Sequence, residues 1–130
     1  MSRRPNDRGS ISVVLIMLLV MALGGAGLVV DGGRAMVARR HASNTAEASA
    51  RAAVATATPV SGFDSNIARA AAFSYASRAG VPPTDVQVEV GVDSVTVTIT
   101  ERRQTVFLIL GGKETMTVHA TGTARVVYTD

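Results

Sequence analysis

The 130-residue chain sets 13 Lys and Arg against 10 Asp and Glu, a formal charge of +3, and 47% of its residues are hydrophobic. With no cysteine it has no disulfide framework, iron–sulfur cluster or thiolate zinc site. No Trp, three Phe and two Tyr leave only a thin core of Ala and Val, in a domain of marginal stability on its own.

The basic residues are clustered. Arg3, Arg4 and Arg8 precede an apolar run, and Arg34, Arg39 and Arg40 follow it. They flank a hydrophobic segment as juxtamembrane residues do, and no aromatic platform accompanies them, which argues against a nucleic-acid surface.

Ile11 to Val30 reads ISVVLIMLLVMALGGAGLVV, without a charge. A helix of about 20 residues crosses a hydrocarbon core of about 30 Å, and the small remainder of the chain could not surround such a rod. This predicts a transmembrane helix over residues 11–30 after a basic leader, 1–10. A signal-peptide reading places the cut after Ala26 but leaves Leu28-Val29-Val30 as an apolar stub, so the anchor is expected to be retained. The free amine and the unstructured leader favour a cytoplasmic N-terminus and an extracytoplasmic C-terminal domain. Gly24, Gly25 and Gly27 open a small-residue patch that either permits close helix approach in lipid or reflects only the frequency of glycine in such helices. Asp31 and Arg34, at i and i+3, form a membrane-boundary pair that fixes the span's depth, or are two solvated charges.

Gly32 and Gly33 weaken the helix at its exit and suggest a hinge. Residues 31–59 then read as an Ala-rich helical stem, ended by Pro59. Ala42, Ala46 and Ala50, following Ala38, recur every fourth residue and form a narrow seam suited to close packing against another helix or sheet. A partner chain is the expected occupant; an ordinary surface helix is the alternative.

Residues 60–130 read as a small extracytoplasmic α+β domain. Asp64 or Ser65 caps a helix from Asn66 to Arg78, closed by Gly80 and Pro82-Pro83, with Ile67, Ala70 and Ala71 on its apolar side. Val86, Val88 and Val90 alternate with polar residues, as do Val95, Val97 and Ile99, around the turn residues Gly91 to Ser94: an antiparallel hairpin with one dry face. A third strand carries Met116, Val118, Ala120, Ala124, Val126 and Tyr128 on one parity. Gly122 shares that parity and marks a bulge or a close approach. The apolar run 106–110, Val106 to Leu110, reads equally as a short helix or a buried strand and is expected to plug one end of the sheet. The resulting fold class is α+β: a transmembrane helix continuing into a helical stem, then a helix packed on a three-stranded antiparallel sheet.

The chain shows no catalytic constellation. His41 and His119 lack a metal-ligand spacing, the carboxylates are scattered singly, no GxSxG elbow occurs, and Gly111-Gly112-Lys113 lacks the spacing of a phosphate loop. No enzyme activity, cofactor, metal or small-molecule substrate is expected.

Arg8-Gly9-Ser10, the glycine-containing apolar run, Asp31-Gly32-Gly33-Arg34, Arg39-Arg40 and Asn44-Thr45-Ala46-Glu47-Ala48 together resemble the N-terminal segment of TadE/TadG-like proteins of the tight-adherence (Flp-type) pilus assembly system. Thr105, Phe107 and Gly111, followed by an Ala- and Thr-rich strand, resemble the family's tail. The resemblance adds weight to Asp31 and Arg34. It implies an accessory or minor pilin-like membrane component of that apparatus, with other membrane-anchored assembly proteins and the lipid bilayer as partners. Members that are cut after a glycine carry a glutamate five residues downstream; a cut after Gly9 places Val14 there, which implies the uncut, TadG-like branch. The competing expectation is a membrane-tethered binding or sensor module unrelated to pili.

Overall fold

The computed structural model describes residues 8–58 and 62–127. Arg3, Arg4, Pro59 and Tyr128 lie outside the described residues, as does the point chosen to divide stem from domain.

One helix, α1, runs without interruption from Arg8 to Val54. Its first half is apolar, long enough to cross a membrane, and almost wholly uncovered by the rest of the chain. Gly32 and Gly33 do not break it. Each costs about 1 kcal/mol of helix propensity relative to alanine, but the helix is held on either side of them, at Gly27 by Phe107 and from Ala38 onward by the domain.

Helix α2, Ser65–Arg78, starts where Asp64 Oδ1 accepts hydrogen bonds from the Asn66 and Ile67 amides at 2.8 and 3.1 Å. Such a cap satisfies two of the four orphan N–H groups of the first turn. The helix ends at Ala79, with Gly80 in the left-handed region at φ 85°.

The sheet has order β1-β2-β3, with β1 Val86–Val90, β2 Ser94–Gln104 and β3 Thr115–Arg125, all antiparallel. In the hairpin Val86 pairs Ile99 and Val90 pairs Val95, the register set by Val/polar alternation. Val95, Val97 and Ile99 are fully buried, while Thr96–Thr123 and Thr98–Thr121 join hydroxyls across the opposite face at 3.0 and 3.1 Å. A slip of one residue would exchange the two faces.

The dry face is covered by both helices. Ala42, Ala46, Ala50 and Ala53 of α1 meet Ala68, Ala72 and Ala76 of α2 and the sheet valines in one core. Two expectations change here. The seam of Ala42, Ala46 and Ala50 is occupied by the chain's own sheet and second helix, so residues 38–53 belong to the domain core and are not a free stem. The buried side of α2 is the Ala68/Ala72/Ala76 stripe; Ile67 and Ala70 face outward. Methyl side chains let the two helices and the sheet approach closely, and a chain with few large side chains closes a core only in that way.

Gly122 shows how close the approach is. A Cβ there would lie 2.6 Å from the Cα of Glu47, inside the helix backbone. The glycine gives α1 a flat seat on β3, which is the close approach its parity suggested.

Candidate functional site

A single stripe of covered residues runs along α1 through Gly27, Asp31, Ala38, Ala42, Ala46, Ala50 and Ala53. From Ala38 onward the domain covers it. At Gly27 and Asp31 the cover is the segment linking β2 to β3, and at this junction between apolar helix and domain three amides converge on one carboxylate.

Asp31 is 1% exposed. Its Oδ1 accepts the Val106 amide at 2.9 Å, and its Oδ2 accepts the amides of Phe107 and Leu108 at 2.9 and 2.8 Å. Three consecutive backbone N–H groups at the head of the Leu108–Gly111 3-10 turn thus converge on one carboxylate. The bond from Val106 is the largest influence on its pKa; burial opposes it, and the bonds from Leu108 and Phe107 and the charge of Arg34 add to it, leaving the carboxyl below its ordinary value. Arg34 acts at a distance: Asp31 and Arg34 form no direct ion pair among the described contacts. Instead of pairing directly with Arg34, Asp31 ties the helix to a loop, with the arginine nearby.

Phe107 lies against Gly27, where an added Cβ would be 2.6 Å from the Phe107 Cβ. Gly27 is buried under this ring, whereas nothing lies within 4 Å of a Cβ built on Gly24 or Gly25. The small-residue patch is thus divided between a contact inside the chain and an open surface. The 106–110 segment does not plug the sheet; it reaches back along the apolar helix, and its Leu108 and Leu110 line a cleft of about 420 Å³ with Val20, Leu23, Gly24, Leu28 and Phe107. Five apolar residues in a row fit neither a pleat nor a helical stripe, and Gly27 offers the flat surface that a phenyl ring needs.

A second polar group lies at the edge of the sheet. Glu101, 8% exposed, accepts from His41 Nδ1 of α1 and from Arg103 at 3.0 Å, and Arg102 bonds Asp85 at 2.6 Å. These side chains line a cleft of about 380 Å³ and are committed to one another, so they fasten β2 to α1 and to the segment before β1. Among the described residues no group of three or more His, Asp or Glu side chains converges as a metal site would.

Sequence reasoning reached Asp31 through its position but missed its partners, which lie 75 to 77 residues away. It also missed the roles of Phe107 and Glu101. The only available signals were an apolar run too short to be a span and a glutamate on the dry parity of β2.

A bare apolar helix, long enough to cross a membrane, enters a small α+β head without a break and is locked to it by a buried carboxylate, an architecture consistent with a single-pass membrane protein. Residues 9–57 match the family model described as putative Flp pilus-assembly TadE/G-like, so that segment is similar to the family. No curated protein and no solved structure matches the chain.

Proposed function

We propose that this chain is a non-enzymatic accessory or minor pilin-like component of Flp (tight-adherence) pilus assembly. In this reading residues 11–30 hold it in the cell membrane, the N-terminus is cytoplasmic, the domain is extracytoplasmic, and the chain sits nearer the uncut TadG-like branch. The carrying observation is the family match over residues 9–57, which covers the anchor and the helix that forms the domain core.

Assembly proteins of this kind act by packing against other membrane-anchored chains. Since Ala42, Ala46 and Ala50 are taken by the chain's own domain, partner contact is assigned to the opposite side of α1. Gly25, Val29, Gly32 and Met36 follow the i, i+3, i+4 spacing of one helix face, are exposed, and lie roughly half a turn away from the stripe that starts at Gly27. Small residues on that face allow close approach of a second helix in lipid.

The test is a deletion in the host, complemented with the native chain and with Gly25→Leu. Surface pili should be reduced in the deletion, restored by the native chain, and not restored by a Gly25→Leu variant that still inserts in the membrane. Normal piliation in the deletion strain would overturn the reading.

A further inference from the structure

We infer that the turn from Val106 to Gly112 is a second membrane-inserted element, and that the acyl chains of the adjoining leaflet cover its exposed apolar face. The inference rests on residues 11–30 spanning the bilayer and adds to that reading a lipid-contact site outside the span.

Depth is the first argument. Phe107 packs on Gly27, four residues before Asp31, or about 6 Å further into the span at 1.5 Å per residue. Leu108 and Leu110 line one cleft with Leu23 and Val20, and Leu23 lies about 12 Å beyond Asp31. A helix that places these residues in hydrocarbon carries the turn in with it.

Surface chemistry agrees. Leu110 is 86% exposed, Ile109 50% and Val106 47%, an outlay of apolar surface that water would oppose. No polar side chain occurs between Val106 and Gly112, while Arg103 precedes the turn and Lys113 follows it. The charges stop and resume as they do around the span, where Asp31 and Arg34 mark the boundary.

Backbone accounting is the strongest argument. Non-helical backbone is tolerated at membrane depth only when its polar groups are satisfied by the protein. Here Asp31 takes the amides of Val106, Phe107 and Leu108. Leu110 donates to Phe107, Gly112 to Ile109 and Lys113 to Leu108, at 3.1, 3.0 and 3.0 Å, and the neck closes with Thr105 donating to Glu114 at 3.0 Å. The Thr105 hydroxyl donates to the Lys113 carbonyl. With these amides paired inside the protein, the head and neck of the turn do not depend on water for those bonds, as a position in lipid requires.

Because the chain has no cysteine, single cysteines report cleanly on position. The full chain is reconstituted in vesicles of phosphatidylcholine and phosphatidylglycerol, carrying an environment-sensitive fluorophore at Leu110→Cys, at Leu19→Cys in the span, or at Val92→Cys on the hairpin turn. Lipid-borne spin labels should quench the Leu110 and Leu19 probes severalfold more than the Val92 probe, with Asp31→Ala moving the Leu110 probe toward the Val92 value. A Leu110 probe as aqueous as Val92, beside a Leu19 probe in lipid, would overturn the inserted turn while leaving the anchor intact, and would hand the apolar face to a protein partner. An aqueous Leu19 probe would overturn the anchor and the inference with it. Ile109→Cys serves as a second reporter should labelling at Leu110 disturb folding.

Discussion

Gly122 of β3 lies against the backbone of Glu47, with no room between strand and helix for even a methyl group. The neighbour is main chain, so it cannot swing aside as a flexible side chain would. Gly122→Ala should therefore destabilise the domain by about 1–3 kcal/mol, the usual cost of overpacking, despite alanine's smaller loss of backbone entropy. Denaturant unfolding of the full chain in detergent, followed by circular dichroism, measures it. An unchanged midpoint would mean that the helix does not sit on the strand as described.

Ala46 is fully covered by the chain's own sheet and second helix. Ala46→Leu keeps helix propensity but adds volume to a closed core, and should cost about 1–3 kcal/mol of stability. The loss should appear in the isolated chain. A variant as stable alone as the native chain, yet defective with its partners, would return the alanine seam to an interface between chains.

Asp31 makes the junction sensitive to acid. Its carboxyl is held below the ordinary value by the amides it accepts, so the folded state favours the ionised form. The stabilisation is complete above the unfolded value of 3.8 and is lost as the pH falls through the lower folded value. NMR amide shifts of Val106, Phe107 and Leu108 should titrate together with a midpoint under 3.8, and the step should vanish in Asp31→Asn. A midpoint above that value would show that the three bonds do not favour the charged form.

Ser49 contributes the opposite sign. Its hydroxyl is buried without a hydrogen-bond partner, in a helix where alanine is the better former. Ser49→Ala should stabilise the chain by about 1 kcal/mol, through the removed desolvation and the gain in propensity. A destabilised Ser49→Ala would reveal a hydrogen bond at that position in solution.

The parts legible in the sequence were those with a period. Val95, Val97 and Ile99 alternate with threonines because a pleat turns successive side chains to opposite faces, so strand, register and dry face followed together. Asp64 and Gly80 bounded α2 by local chemistry. The alanine seam was visible as a spacing, but spacing records how near a neighbour comes and not which one it is. Ile67 on α2 misled for a related reason: bulk suggested burial, whereas this core is built where side chains are smallest. Val106 to Leu110 had no period to read, and Asp31 gave no hint of its partners, since bonds to backbone amides leave no trace in the identity of the residues that donate them.

The unbroken run of α1 has a mechanical consequence. Its 47 residues make a rod of about 70 Å, with Phe107 and Asp31 fastening the head to it at one level and Gly122 at another. Two fixing points on one rod remove the swivel that a flexible tether would provide, so the head takes the tilt and the azimuth of the segment in the bilayer. A sideways load on the head becomes a torque on the anchor rather than a bend between them.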